Sequence, residues 1–173
     1  MENYQKFIEQ TKRHEGSIRN KDGHHVAYQC QAGFWTIGYG HNIEADPKVV
    51  IFEHKTESPI ILSLTKYSMI DEWEAEAILD YDIKRFEGGL CDNIPFLADL
   101  TKAKDPVRYY VMLNMAFNMG ISTLLQFKKT IKYVEDGSYI EAASEMLNSK
   151  WANQVGSRAQ ELSKQMKTGQ WQF

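Results

Sequence analysis

Two β-prone runs around a short turn constrain the fold of this chain more than any other segment. Residues 26–30 (VAYQC) and 34–38 (FWTIG) flank the sequence Gln31-Ala32-Gly33. β-Branched and aromatic residues on both sides of a glycine-containing turn predict a β-hairpin. The spacing allows a turn of three residues.

The hairpin pattern brings small polar groups onto one surface. With a three-residue turn, Cys30 lies opposite Phe34, and Tyr28 lies opposite Thr36. Side chains alternate between the two faces of a strand, so Cys30 and Thr36 are predicted to project from the same face, about one diagonal step apart.

A carboxylate precedes the hairpin at the end of a helical pattern. Apolar residues at helical spacing predict a helix over residues 3–13, and Gly16 marks its end. Glu15 therefore lies at a junction of helix and loop, followed by a polar loop over 17–25. A lone acid beside small polar groups suggests acid-assisted bond cleavage, which requires a carboxyl group that holds its proton.

His41 follows Gly38-Tyr39-Gly40, which lacks the third glycine and the following helix of a nucleotide-binding motif. This histidine is either a structural hydrogen-bonding residue or a catalytic base. The five histidines (14, 24, 25, 41 and 54) and the two cysteines (Cys30 and Cys91) do not have metal-ligand spacing. We therefore predict no metal and no cofactor.

The rest of the chain is predicted to be mostly helical. Asp71 with Glu74 forms a capping-box pattern that starts a long helix over 71–87, which ends near Gly88-Gly89. Residues 107–119 are nearly all apolar and predict a buried central helix. Shorter helices are predicted over 122–136, 139–148 and 157–167, whereas residues 42–68 have no clear pattern.

Composition favours an ordinary globular chain. Of 173 residues, 43% are hydrophobic, and the formal net charge is −3. No apolar run reaches the roughly 18–20 residues that cross a bilayer, and the polar N-terminus predicts no signal peptide, hence synthesis in the cytoplasm with reduced thiols. Acidic residues predominate up to residue 100 and basic residues thereafter, which suits contact with an anionic polymer or a solvated helical surface.

Five motifs in order along the chain resemble those of the phage-type lysozymes, glycoside hydrolase family 24. They are HEG, YQCQAGFWTIGYGH, NMAFNMG, SKWANQVGSRA and KTGQW. The resemblance covers about residues 4–171 and is weak over 42–68. It implies a mostly helical α+β fold in a single lysozyme-like domain, 1–173. A small N-terminal lobe with a β-hairpin (about 14–70) and a helical C-terminal lobe (about 90–173, with helix 3–13 packed on it) would be joined by a linking helix at 71–87, and the glycan would lie between the lobes.

The resemblance also implies an activity and a site. The family cleaves the β-1,4 bond between N-acetylmuramic acid and N-acetylglucosamine in peptidoglycan. Its catalytic glutamate matches Glu15 and its catalytic threonine matches Thr36. Its histidine and aspartate match His41 and Asp82, which are predicted to form an ion pair. Three further residues are implied to bind substrate, with the last close to Glu15: Phe117, Asn118 and Arg158.

One departure from the family pattern affects the chemistry. About six more residues than in the T-even phage enzymes separate Glu15 from Thr36, and Cys30 stands where those enzymes have a catalytic aspartate. A branch of endolysins has a similar YxCxAG pattern. Cys30 could act as a base, as a nucleophile or by positioning water.

Three alternative functions are considered. They are a wall-binding protein that has lost turnover, a peptidase or amidase that uses Cys30 and His41, and a helical nucleic-acid binder, for which the sequence contains no motif.

The expected partners follow from the same resemblance. The substrate is expected to be the glycan strands of peptidoglycan, with no nucleic acid and no stable membrane association. We expect a monomer that reaches the periplasm only after a separate membrane-permeabilising protein has acted.

Overall fold

The protein folds as two compact units. The structure is a computed structural model that describes residues 2–53, 58–102 and 105–172. One unit, called the β-rich unit, is Lys12–Arg85, and the other, called the helical unit, is Met1–Thr11 together with Phe86–Phe173. The fold is α+β and mostly helical, as the sequence predicts.

Helix α1 (Glu2–Glu15) ends at the glutamate that the sequence places at a junction. Gly16 follows with a φ of +66° and donates its backbone N–H to the carbonyl of Lys12 at 2.9 Å. This is a helix stop of the kind that glycine favours, because a side chain would be strained at positive φ. Glu15 is therefore the last helical residue.

The predicted hairpin forms with the predicted register. Strands β2 (Tyr28–Gln29) and β3 (Trp35–Ile37) pair antiparallel with Tyr28 opposite Thr36, and the N–H of Cys30 donates to the carbonyl of Phe34 at 3.0 Å. Gly33 has a φ of +85° and closes the turn by donating to the carbonyl of Cys30 at 2.8 Å. The three-residue turn is confirmed, and it fixes which side chains share a face.

The strand expected over 26–30 is interrupted, which corrects the prediction. Strand β1 (His25–Val26) pairs with β7 (Met69–Ile70), and only β2 belongs to the hairpin sheet. The N–H of Ala27 donates to the carbonyl of Ser68 at 3.3 Å, where the chain passes from one sheet to the other. A third strand, β4 (His41–Asn42), extends the hairpin sheet in the order β2-β3-β4.

Residues 42–68, where the sequence has no clear pattern, contain a second hairpin. Strands β5 (Lys48–Phe52) and β6 (Pro59–Ser63) pair antiparallel. Val49 and Ile51 are buried, whereas Val50, Phe52 and Ile61 are exposed, which is the alternation of a sheet with one covered face. His54, one of the five histidines considered as metal ligands, lies outside the described residues.

Helix α2 (Glu72–Asn93) is longer than predicted. It begins as expected, because the N–H of Asp71 donates to Oε2 of Glu74 at 2.8 Å, one half of the capping box. It then continues through Gly88 and Gly89, where the sequence predicted its end. Leu90 is fully buried, and a Cβ at Gly89 would lie 2.6 Å from Cδ1 of Ile121. The glycine permits close packing here rather than ending the helix.

The helical unit is built around α4 (Pro106–Met119), which has buried residues on all sides from Val107 to Ala116. Asp105 caps it by accepting from the N–H of Arg108 at 3.4 Å, and Pro106 occupies its first turn. Around it lie α3 (Phe96–Lys102), α5 (Ile121–Leu124), α6 (Lys128–Glu135), α7 (Tyr139–Leu147), α8 (Lys150–Val155) and α9 (Ser157–Thr168).

One of these helices departs from the prediction. The single helix expected over 122–136 is two helices, α5 and α6, separated at Leu125-Gln126-Phe127. The N–H of Gln126 bonds to Thr123 and that of Phe127 to Leu124, both three residues back, so the chain tightens and leaves the α-helical path. Within the described residues, no helix is both long and apolar enough to cross a membrane.

Candidate active site

The hairpin face of the β-rich unit brings together Cys30 and Thr36, as predicted. Thr36 is buried, with its hydroxyl donating to the carbonyl of Phe34 at 3.1 Å, and Cys30 is a half-buried free thiol. The Thr36 hydroxyl also helps to lower the pKa of the Cys30 thiol. The two side chains therefore act as one polar pair on the hairpin.

The hairpin turn makes Cys30 a better acid than an ordinary thiol. Burial alone would raise its pKa, but backbone hydrogen bonds from Phe34, Ala32 and Gly33, and the side-chain bond from Thr36, lower it further than burial raises it. The net effect is a lowered pKa. The turn residues that set the register thus also stabilise a thiolate.

Glu15 lies against the glycine turn that follows the hairpin. A Cβ at Gly40 would be 3.4 Å from Oε2 of Glu15, and Gly40 has a φ of +96°. Glycine is favoured here because a residue with a side chain would be strained at this positive φ. The Gly-Tyr-Gly sequence therefore forms one side of the Glu15 environment, and it is not a nucleotide motif.

The pKa of Tyr28 responds to the charges of both Glu15 and Cys30. Tyr28 was not assigned to the site from the sequence. Its side chain is half-buried. Burial raises its pKa, and the negative charges of Glu15 and Cys30 raise the pKa further. A tyrosine that is sensitive to both charges lies near both groups. The predicted pairing of Tyr28 with Thr36 was the signal that could have identified it.

His41 and Asp82 form a close ion pair within the β-rich unit. Nδ1 of His41 lies 2.8 Å from Oδ2 of Asp82, and Nε2 lies 2.8 Å from the carbonyl oxygen of Asp46. Both ring nitrogens face acceptors, so only the doubly protonated imidazolium can satisfy them. Burial lowers the pKa of His41, but Asp82 and the Asp46 carbonyl raise it more, and the net shift is upward.

The other predicted residues lie in the helical unit. Arg158 is buried and donates from Nε to Oδ1 of Asn114 at 3.0 Å. Asn118 accepts from the indole N–H of Trp151 at 2.8 Å, and Phe117 packs edge-on against Phe86 at 5.3 Å between ring centroids. Their contact with substrate stays a prediction, as does the proximity of Arg158 to Glu15, which lies in the other unit.

No group of three or more His, Cys, Asp or Glu side chains among the described residues is arranged to hold a metal ion.

A family model described as Phage lysozyme matches residues 19–168. The chain belongs to the phage lysozyme family. The match includes every predicted site residue except Glu15, which lies four positions before its start.

Relatives within the family come from very different sources. The chain is 30% identical over 146 residues to "Probable T4-type lysozyme 1" of Dictyostelium discoideum, which covers 82% of this chain and 85% of the relative. It is also 30% identical over 141 residues to "Endolysin" of Acyrthosiphon pisum secondary endosymbiont phage 1. That match covers 82% of this chain and 73% of the relative. The protein is thus a member of a family of peptidoglycan-hydrolysing lysozymes.

We predict that Asp82→Asn destabilises the protein by about 1.5–3 kcal/mol, because it removes a charged partner from a buried hydrogen bond. The pKa of His41 is raised on folding, so the ion pair gives its full stabilisation of the folded state below about pH 6.5. This stabilisation is lost as the pH rises through the pKa of His41 in the folded protein. Urea unfolding at several pH values should show a difference from wild type that shrinks with increasing pH.

Asp80→Asn is the matched control on the same helix. Asp80 forms an i,i+4 pair with Lys84 at 2.6 Å, and the lysine is 69% exposed. Such surface pairs contribute little, so this variant should stay within about 1 kcal/mol of wild type. An Asp82→Asn variant as stable as the control would contradict the role assigned to the ion pair.

We also predict that Cys30 reacts with iodoacetamide at lower pH than an ordinary thiol. Cys91→Ser leaves Cys30 as the single cysteine, and the alkylation rate follows the thiolate fraction. Intact-mass measurements should give a lower apparent pKa for the folded variant than for the same variant in denaturant. Equal values in the two states would mean that the hairpin amides do not stabilise the thiolate.

Proposed function

We propose that this lysozyme is a muramidase that hydrolyses the β-1,4 bond between N-acetylmuramic acid and N-acetylglucosamine in peptidoglycan, with the activity of a lysozyme-type glycoside hydrolase. The observation that carries the proposal is the hairpin register, which puts Cys30 and Thr36 on one face. Tyr28, from the same face, is sensitive to the charge of Glu15. One acid beside a surface that can hold water fits glycosidic hydrolysis.

Glu15 is the proposed general acid, which protonates the leaving glycosidic oxygen. It is the last residue of α1, and its carboxylate lies beside Gly40. A carboxyl group fixed between a helix end and a tight turn has few orientations, which favours proton transfer to one atom. The half-buried environment limits water around the carboxyl group.

The protonation states that a base mechanism requires limit what Cys30 can contribute. If Cys30 were a base, the reaction would need a protonated glutamic acid and an ionised thiol at the same time. Because a carboxyl group ordinarily ionises at a lower pH than a thiol does, only a small fraction of molecules would be in that state. The lowered pKa of Cys30 enlarges this fraction, but a neutral thiol that positions water avoids the cost altogether.

We therefore favour direct attack by water held by Thr36 and Cys30. Glu15 gives its proton to the glycosidic oxygen, the bond from that oxygen to the anomeric carbon breaks, and the water oxygen bonds to the same carbon. The water releases a proton to solvent, from which Glu15 is reprotonated, so one water is consumed per bond. Attack from the opposite face inverts the anomeric configuration, whereas attack by sulfur would retain it.

The helical unit is proposed to contribute to glycan binding through Phe117, Asn118 and Arg158. Phe117 and Asn118 are half-exposed neighbours at the end of α4, and an aromatic ring beside an amide is suited to a sugar. Arg158 is held by Asn114 in a fixed orientation. These assignments rest on the motif resemblance and on this local geometry.

The setting of the activity is also proposed. The protein would act as a monomer that is made in the host cytoplasm and degrades the wall after a membrane-permeabilising partner has released it. It would bind neither nucleic acid nor membranes stably, and it would need no cofactor. The motif resemblance to phage endolysins supports this setting.

The geometry disfavours a cysteine peptidase or amidase. Such an enzyme needs His41 to accept a proton from Cys30. Both nitrogens of His41 are occupied at 2.8 Å, one by Asp82 and the other by the Asp46 carbonyl. His41 therefore has no free nitrogen to act as the base.

Glu15→Gln should lower the rate of reducing-sugar release from purified peptidoglycan by roughly 10²–10⁴-fold, because the amide cannot protonate the leaving oxygen. Glu9→Gln, an exposed change on the same helix, is the control and should keep wild-type activity. If Glu15→Gln stays active, the general-acid assignment is wrong. Binding of peptidoglycan by the wild type without turnover would instead favour a wall-binding protein.

Product analysis should identify both the bond and the stereochemistry. Mass spectrometry of a digest is expected to show N-acetylmuramic acid at the new reducing ends, and NMR of the first products should show the inverted α-anomer. N-acetylglucosamine at the reducing ends would refute the proposed bond. A first-formed β-anomer that disappears in Cys30→Ser would instead support a covalent role for sulfur.

A further inference from the structure

A second group of charged and polar side chains lies in the β-rich unit, apart from the hairpin face. We call it the Glu72 cluster, and its members are Lys12, Arg19, His25, Tyr39 and Glu72. Oε1 of Glu72 lies 2.6 Å from the Tyr39 hydroxyl and 3.1 Å from Nζ of Lys12. Its other oxygen, Oε2, lies 2.5 Å from Nη2 of Arg19 and 2.9 Å from Nε2 of His25.

The carboxylate of Glu72 is fully used by these contacts. Two oxygens offer about four acceptor positions, and four donors occupy them. Burial alone would raise the pKa of Glu72, but the hydrogen bonds from Tyr39, His25, Lys12 and Arg19 lower it far below its usual range. Glutamine at this position would have one acceptor oxygen and an amide group that faces donors, so it could not replace the carboxylate.

Two of the four donors belong to segments that contain Glu15 or lie beside it. Lys12 lies three residues before Glu15 in the last turn of α1 and also contacts Glu76 at 2.6 Å. Tyr39 directly precedes Gly40, which lies beside the Glu15 carboxylate, since a Cβ added there would be 3.4 Å from Oε2. Glu72 therefore binds both the helix that carries Glu15 and the turn that lies beside its carboxylate.

The other two donors belong to the loop between α1 and the hairpin. Arg19 and His25 form an isolated bridge, and His25 begins β1, a strand of only two residues. The His25 ring is fully buried and packs edge-on against the Tyr39 ring, with 5.1 Å between centroids. The loop has little regular structure of its own, so side-chain contacts with Glu72 define its path.

Global stability alone does not explain a cluster with this arrangement. The side chain of Glu72 is 41% exposed, and Arg19 is 39% exposed. Partly exposed ion pairs contribute little free energy because solvent screens them. What the cluster does determine is geometry, since one carboxylate binds three chain segments, one of which carries Glu15 and another of which lies beside it.

We propose that Glu72 is a positioning residue for Glu15, acting through Tyr39 on the Gly38-Tyr39-Gly40 turn and through Lys12 on the last turn of α1. This inference rests on the proposed role of Glu15 as general acid. Small displacements of a catalytic group can cost up to about 100-fold in rate even when the change is remote from the chemistry. The cluster should therefore affect turnover more than substrate binding.

The test compares kcat and KM on soluble peptidoglycan fragments for Glu72→Gln and Tyr39→Phe. Both variants should lower kcat, by about 10- to 100-fold for Glu72→Gln and less for Tyr39→Phe, with KM within about two-fold of wild type. The double variant should lose no more than Glu72→Gln alone, because both changes break the same bond. Tyr39→Phe keeps the ring and the charged groups, so it remains informative if Glu72→Gln does not fold.

The helical unit offers a matched control pair. Oε1 of Glu87 accepts a hydrogen bond from the Tyr109 hydroxyl at 2.8 Å, a carboxylate–tyrosine contact of the same kind. Glu87→Gln and Tyr109→Phe should lower the melting temperature yet keep wild-type kcat at temperatures where all variants are folded. This comparison separates loss of stability from loss of positioning.

Glu15→Gln is measured in parallel so that the two proposals can fail separately. If Glu15→Gln is inactive while Glu72→Gln and Tyr39→Phe keep wild-type kcat, the positioning role is wrong and the general acid stands. If Glu15→Gln retains activity, both proposals fail. A rise in KM with unchanged kcat would also overturn the inference, because it would assign the cluster to substrate binding.

Discussion

The positions of the short strands in the β-rich unit depend on carboxylates of helix α2, because strands this short do not fix their own positions. Of the seven strands among the described residues of this unit, five have only two or three residues, and isolated pairs of such strands are marginal in water. Glu72 binds the α1 end, the loop and the glycine turn, and Asp82 binds His41 on β4. A third contact, from Arg85 to Asp46 at 2.5 Å, ties the same helix to the segment after β4. One helix therefore determines where the short strands lie.

Local patterns predict the parts of the site that depend on neighbours in sequence. The register of the hairpin follows from a three-residue turn, and a single backbone bond from Cys30 to Phe34 confirms it. The place of Glu15 at a helix end follows from Gly16. In both cases the determining interaction spans four residues or fewer, so periodicity and turn chemistry contain the needed information. The motif resemblance adds the distant pair of His41 and Asp82, which local pattern alone does not indicate.

Interactions between distant segments account for what the sequence did not predict. The break at Ala27 depends on Ser68, a partner 41 residues away, and α2 passes Gly89 because Ile121 packs where a side chain would be. Glycine lowers helix propensity by only about 1 kcal/mol, which tertiary packing readily offsets. The Glu72 cluster gave no signal for the same reason. An acid at the first position of a helix is typical in itself, and its four partners are up to 60 residues away.

A sulfur at residue 30 changes how charge is distributed on the hairpin face. A carboxylate there would be negative throughout the neutral pH range, and a nearby negative charge helps a glutamic acid to keep its proton. A thiol carries a negative charge only when the pH approaches its pKa. The Thr36 hydroxyl and the turn amides lower the pKa of Cys30. At lower pH the face is uncharged, and the proposed proton transfer from Glu15 would then depend on where the acid is held. In a site with sulfur, the position of Gly40 beside Glu15 and the hydrogen bond from Tyr39 to Glu72 therefore matter more than they would beside a second carboxylate.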